Sequence, residues 1–169
     1  MNIYSELIAV CWAIFLIVWS TGPLSIKGFL YRFGAIALIL LLLRLSSMGV
    51  SPVFGIVGVT LSALGVSFAI WARFYLGKNW GAPMTLRERH ELVITGPYHF
   101  VRHPIYTGVL VALLGAVVTQ GIFWLIPFVY FVVYFMRSAR LEERRLLEHF
   151  PNIYPVYMSR TKMLIPFIF

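Results

Sequence analysis

Residues Val53–Phe74 read VFGIVGVTLSALGVSFAIWARF and hold a single charge, Arg73. A helix needs about 20 predominantly apolar residues to cross the hydrocarbon core of a bilayer. The stretch is long enough and is apolar on every side, whereas a helix on a soluble core keeps one polar face. It predicts a membrane-spanning helix, and the rest of the chain agrees with it.

From Leu7 to Phe74 the charged residues are Lys27, Arg32, Arg44 and Arg73 alone. Across all 169 residues, 60% are hydrophobic and 12% charged, against about a quarter charged in a soluble domain. The pattern predicts an all-α, polytopic bundle of about five spans. These run from Leu7 to Ser20, Phe29 to Leu45, Val53 to Phe74, Ile105 to Val118 and Ile122 to Met136. Thr119-Gln120-Gly121 is the short link of a helical hairpin between the last two. At this length one domain is expected, residues 1–169. Glu6 and the lack of a basic leading region predict that the first span is retained and not cleaved as a signal peptide.

The net charge of +8 is sorted by side. With five spans, Arg44 stands alone on one side and the other thirteen Lys and Arg residues share the opposite side. Basic loops stay in the cytoplasm, so the N-terminus is expected outside and the C-terminal tail inside. The same asymmetry accounts for the basic balance without nucleic acid, which is not expected as a partner. Cys11 is the sole cysteine, so no disulfide or cysteine-based metal site forms within the chain, and no metal is expected.

Gly58, Ser62, Gly65 and Ala69 lie at helical spacing in the third span, as do Gly108, Ala112 and Gly115 in the fourth. Such stripes let helix backbones approach closely in lipid. Five of the six acidic residues and all four histidines fall in two polar segments, Gly77 to His103 and the tail after Met136.

Within the first of these, His90 to Gly108 reads HELVITGPYHFVRHPIYTG. Gly96-Pro97 marks a turn, and Pro104 suits the first turn of a helix. Arg102 and His103 therefore sit at the mouth of the fourth span, beside four backbone donors that the helix leaves unused. The second constellation is Glu142-Glu143 near the start of an amphipathic tail helix, whose apolar face is Leu141, Leu146, Leu147 and Phe150. These acids are read either as partners of neighbouring arginines or as acceptors for ligand hydroxyl or ammonium groups. His90-Glu91 begins a zinc-protease-like pattern, but Ile94 stands where the second histidine belongs. No G-x-S-x-G, P-loop or G-x-G-x-x-G motif occurs.

Gly96-Pro97-Tyr98, then Arg102-His103-Pro104-Ile105-Tyr106-Thr107-Gly108, then Glu142-Glu143, then Phe150, Tyr154, Tyr157 and Pro166 together resemble the isoprenylcysteine carboxyl methyltransferase family, relatives of the phospholipid N-methyltransferases. The resemblance covers Leu76 to Phe169. It implies a methyltransferase-like region over residues 76–169 behind N-terminal spans in 1–75, with a cytoplasmic cofactor-binding cap. It further implies S-adenosylmethionine as cofactor, held by His90, Glu91, Leu92, Val93, Tyr98, His103, Pro104, Ile105, Tyr106, Glu142 and Glu143. Substrate positioning falls to Arg102, Arg137 and Arg140; the family places its substrate arginine four residues before the acid matched to Glu142, where this chain has Ser138. The implied acceptor is a lipophilic molecule partitioned in the bilayer, an isoprenylcysteine-like carboxylate or a lipid headgroup. Two other readings stay open: a sterol-reductase-like NADPH enzyme, which shares a similar Arg-His and tyrosine pattern, and a non-enzymatic membrane scaffold or transporter.

Overall fold

The computed structural model describes residues 2–19, 50–77, 92–166 and 168. The predicted second span, and His90 and Glu91 of the predicted cofactor shell, lie outside the described residues. Among those described there are five α-helices: α1 (Ile3–Trp19), α2 (Pro52–Leu76), α3 (Pro104–Gln120), α4 (Leu125–His149) and α5 (Tyr154–Arg160). Single 3-10 turns at Gly96–His99 and Ile122–Trp124 lead into α3 and α4.

The third, fourth and fifth predicted spans thus appear as α2, α3 and the first part of α4. Two helical runs, Pro52–Leu76 and Ile122–His149, are long and apolar enough to cross a bilayer, with mean hydropathies of 2.2 and 1.7. The shorter apolar helices α1 and α3 have 17 residues each, the lower end of the spanning range of about 17–25. The tail helix expected around Glu142 is not a separate element. It is the second half of α4, because no proline or glycine interrupts the chain between Met136 and His149. At Arg137 the helix changes from apolar on all sides to amphipathic. Counting Arg137, seven charged residues precede His149 in this half, a density that hydrocarbon does not tolerate.

Helices α2 and α3 form the centre, and their small residues explain why. A Cβ on Gly65 would lie 2.5 Å from the Gly108 carbonyl oxygen and 2.5 Å from the Ala112 nitrogen. Ser62 Oγ donates to the Ala112 carbonyl at 3.0 Å. Lipid tails are as apolar as leucine, so helices in lipid associate through such close packing and polar contacts. The contacts of Gly58 with Thr119 and of Gly108 with Ala69 make the pair antiparallel. Helix α1 adds its Ile8, Trp12 and Phe15 face to the same core, which is the i, i+4, i+7 spacing of one helix face. Its other side leaves Leu7, Val10, Ile14 and Ile17 exposed. Large exposed apolar faces of this kind also run along α2 and α4, more than a water-soluble monomer carries.

The antiparallel order brings the end of α2, the start of α3 and the charged half of α4 to one end of the bundle. Gly96 has φ +59°, and a Cβ there would collide with the Tyr75 ring near the end of α2. Only glycine meets both conditions at that turn.

Candidate functional site

The site is built around the entry to α3. The residue before a proline is pushed out of the helical region, and His103 accordingly has φ −124°, ψ 62° ahead of Pro104 at the helix start. The preceding backbone is held by the tail, since Arg102 N donates to Lys162 O at 2.9 Å and His103 N to Met163 O at 3.1 Å. Val101 and Lys162 form an isolated parallel bridge. Thr107 Oγ1 donates to Leu164 O at 2.7 Å, fixing the tail to the first turn of α3. Tyr157 Oη on α5 donates to Tyr98 O at 2.6 Å and ties α5 to the Gly96–His99 turn.

Two carboxylates of α4 face this entry. Arg102 Nε donates to Glu143 Oε1 at 2.6 Å, and His103 Nε2 lies 3.2 Å from the same oxygen. An ionised carboxylate only accepts, so that contact places a proton on His103 Nε2. The Arg102 fork is completed by the carbonyls of Met158 at 3.3 Å and Thr161. Burial by itself raises the Glu143 pKa. The hydrogen bonds and charges of His103 and Arg102 outweigh it and hold the carboxyl below its ordinary range.

Glu142 has a different setting. Tyr106 Oη donates to Glu142 Oε2 at 3.1 Å, and His103 Nδ1 stands 3.8 Å from that oxygen. The Glu142 side chain keeps 35% of its exposure, against 7% for Glu143, so Glu142 is the one that solvent or a ligand reaches. An aromatic column flanks it. His103 stacks on Tyr106 at 5.4 Å between centroids, and Tyr106 stacks on Phe135 at 4.6 Å. Burial, and next the nearby Glu142 charge, push the Tyr98 phenol well above its usual range, so it remains a neutral donor. Tyr154 is buried, its Oη has no hydrogen-bond partner among the described residues, and burial followed by the Glu143 charge raises its pKa.

Of the residues named from sequence, Arg102, His103, Pro104, Tyr106, Glu142 and Glu143 are brought together, with Tyr98 close by. Ile105 is buried in the main core and Val93 packs against it, while Leu92 packs on the smaller cluster of Leu146, Tyr154 and Tyr157. Arg137 and Arg140 stand exposed on α4, outside the cluster, while Ser138 between them is buried. Sequence reasoning missed Phe135, one aromatic among many in an apolar run. It also missed the tail from Thr161 to Leu164, which works through backbone carbonyls and so leaves no residue-type signature.

Fold and site together define an all-helical membrane protein with a polar cluster of paired acids, arginine and histidine at one end of its helices. Residues 53–153 match the family model described as phospholipid methyltransferase, and the chain belongs to that family of integral membrane methyltransferases. It is 43% identical over 72 residues to methanethiol S-methyltransferase 1 of Bradyrhizobium diazoefficiens, covering 41% of this chain and 24% of that protein. It is 30% identical over 114 residues to the nickel-cobalt-cadmium resistance protein NccN of Alcaligenes xylosoxydans xylosoxydans, covering 66% of this chain and 48% of that one. The cobalt-zinc-cadmium resistance protein CzcN of Cupriavidus metallidurans gives 30% over 114 residues, 64% of this chain and 49% of that one. The chain therefore spans half or less of the length of these curated relatives. No solved structure matches it.

Proposed function

We propose that this chain transfers a methyl group from S-adenosylmethionine to a lipophilic acceptor held in the bilayer. The carrying observation is Glu142, a partly exposed carboxylate fixed by Tyr106 beside the His103–Tyr106–Phe135 stack. The same arrangement argues against the scaffold reading, since a purely structural acid needs no aromatic wall.

The donor set suits the cofactor. Glu142 accepts from an ammonium or ribose hydroxyl, and Phe135, at the end of the stack, offers a π face to a sulfonium cation. The buried Tyr154 hydroxyl, which has no hydrogen-bond partner among the described residues, is a further donor in the same region. His90, Glu91, Leu92, Val93, Tyr98 and Ile105 complete the proposed shell. When bound, S-adenosylmethionine supplies an electrophilic methyl group on sulfur. The protein's task is then to hold the nucleophile about 3 Å from that carbon, in line, more than to supply strong acid or base chemistry. Arg102 and Glu143 keep the α3 entry and His103 in register. A thiol or amine acceptor must lose a proton, and the partly exposed Glu142 carboxylate is the group placed to receive it; a carboxylate acceptor needs none. Similarity to a methanethiol S-methyltransferase supports adding a sulfur nucleophile to the carboxylate and headgroup acceptors. Arg137 and Arg140 are the proposed contacts for an anionic acceptor.

The proposed topology is five spans with the N-terminus outside and the site on the cytoplasmic face, supported by the sorting of basic residues. Calorimetry on the purified chain tests the central claim. Wild type binds S-adenosylmethionine, and Glu142→Ala and Tyr106→Ala weaken that binding. A wild-type chain that binds no donor removes the proposal.

A further inference from the structure

A pocket of about 720 Å³ opens on the other side of α5 from Arg102 and Glu143. Tyr157 and Thr161 form the wall between the two sites: both line this pocket, while Tyr157 Oη reaches Tyr98 O and Thr161 O receives Arg102. The volume is that of an ordinary small-molecule site, about 300–1,000 Å³. One part of the lining is apolar: Ile94, Phe100, Ile153 and Val156, exposed by 42%, 49%, 56% and 50%. The other part carries Arg160 and Lys162, with His99 nearby, and no carboxylate lines the pocket among the described residues. The cationic part lies beyond residues 53–153 that match the family.

Four large apolar side chains exposed beside two cations suit neither plain water nor the hydrocarbon core. They suit an amphiphile with an anionic head. The geometry points to a binding site for one acidic phospholipid of the surrounding membrane. Its phosphate meets Arg160 and Lys162, and its upper acyl chain covers Phe100, Ile153 and Val156. A free phosphate leaves those apolar side chains uncovered, and a zwitterionic lipid offsets the attraction with its own cation. The site is separate from methyl transfer and does not depend on it. Occupancy would also brace the Thr161–Leu164 tail, whose carbonyls hold Arg102, His103 and Thr107.

The test uses the full chain in neutral detergent, titrated with phosphatidylglycerol, phosphatidylcholine or inorganic phosphate. Retained lipid is read by native mass spectrometry and the unfolding midpoint by a thermal melt. Phosphatidylglycerol is expected to bind and to raise the midpoint, as any ligand of the folded state does, while phosphatidylcholine and inorganic phosphate do neither. Each basic residue near a lipid surface is worth about fivefold in affinity, so Arg160→Gln with Lys162→Gln should weaken phosphatidylglycerol binding roughly 25-fold by the same measure. Ile153→Ser should weaken it as well, which tests the apolar part without changing charge. Arg144→Gln with Arg145→Gln, on the exposed side of α4, is the control and should leave binding intact. Equal binding of both lipids, equal loss in the α4 control, or no loss in the pocket variants would overturn the proposal.

Discussion

Arg102 and Glu143, 41 residues apart in sequence, meet at 2.6 Å between Nε and Oε1, with both side chains more than nine-tenths buried. The pair joins the entry of α3 to the charged half of α4. Because the same Glu143 oxygen also contacts His103 Nε2, one carboxylate sets the position of both residues that precede Pro104.

Glu143→Gln leaves a buried guanidinium without its counter-charge, and breaking one side of a buried pair costs about 3–5 kcal/mol. The expected result is a clear fall in the thermal midpoint of the chain in detergent. Arg102→Met added to Glu143→Gln should recover part of the loss, since the double variant buries no lone charge. A double variant no more stable than the single one would contradict the pairing.

The depressed pKa of Glu143 gives a signed pH dependence. A carboxyl whose folded pKa lies below its unfolded value stabilises the fold above the unfolded pKa, about 4.3 for glutamate. That contribution is lost as pH falls through the folded pKa. Melts of wild type from pH 7 down to pH 3 should show a midpoint falling at the acid end, and Glu143→Gln should show a smaller fall over the same range.

Glu142 and Glu143 are adjacent yet should separate cleanly in their effects. Glu142 is partly exposed and held by a single tyrosine hydroxyl, so Glu142→Ala should leave the melting temperature nearly unchanged. Donor affinity, measured by calorimetry, should drop at least about tenfold, the scale of a lost charged hydrogen bond.

Gly65→Val should cost more stability than Gly65→Ala, because each added carbon enters space held by the backbone of α3. Overpacking typically costs about 1–3 kcal/mol, and a helix backbone yields less than a side chain. The measurement is the detergent melt together with the monodisperse yield of each variant.

Arg137→Gln and Arg140→Gln test the acceptor contacts. Both residues are exposed on α4, so donor affinity should stay within about twofold, as for a surface change away from the ligand. With an anionic acceptor, KM should rise while kcat is kept, the mark of lost uniform binding. An unchanged KM removes both arginines from the acceptor site.

Among the described residues, the long apolar helix α2 and the α3 entry were legible in the sequence alone. Val53–Phe74 declares itself through length and a single charge near its end, and Arg102-His103-Pro104 declares a helix start because proline constrains both itself and its predecessor. The small-residue stripes marked faces of close approach for an equally local reason, and the structure showed that the two faces meet each other. The boundary of the tail helix was less legible. A loss of hydropathy at Arg137 reads as an end, but the backbone continues wherever nothing breaks it, and α4 runs on to His149.

Residue type and spacing by themselves determined an apolar helical bundle and a polar helix mouth, since these follow from chain-local sterics and transfer energies. Which of two adjacent glutamates is committed to Arg102 and which is open to a ligand was decided only in three dimensions. Neighbours on a helix point about 100° apart, and packing against α3 fixes which direction is buried. The hold of Lys162, Met163 and Leu164 on the α3 entry was likewise decided only there, because backbone carbonyls are the same in every residue and acquire a role from position alone.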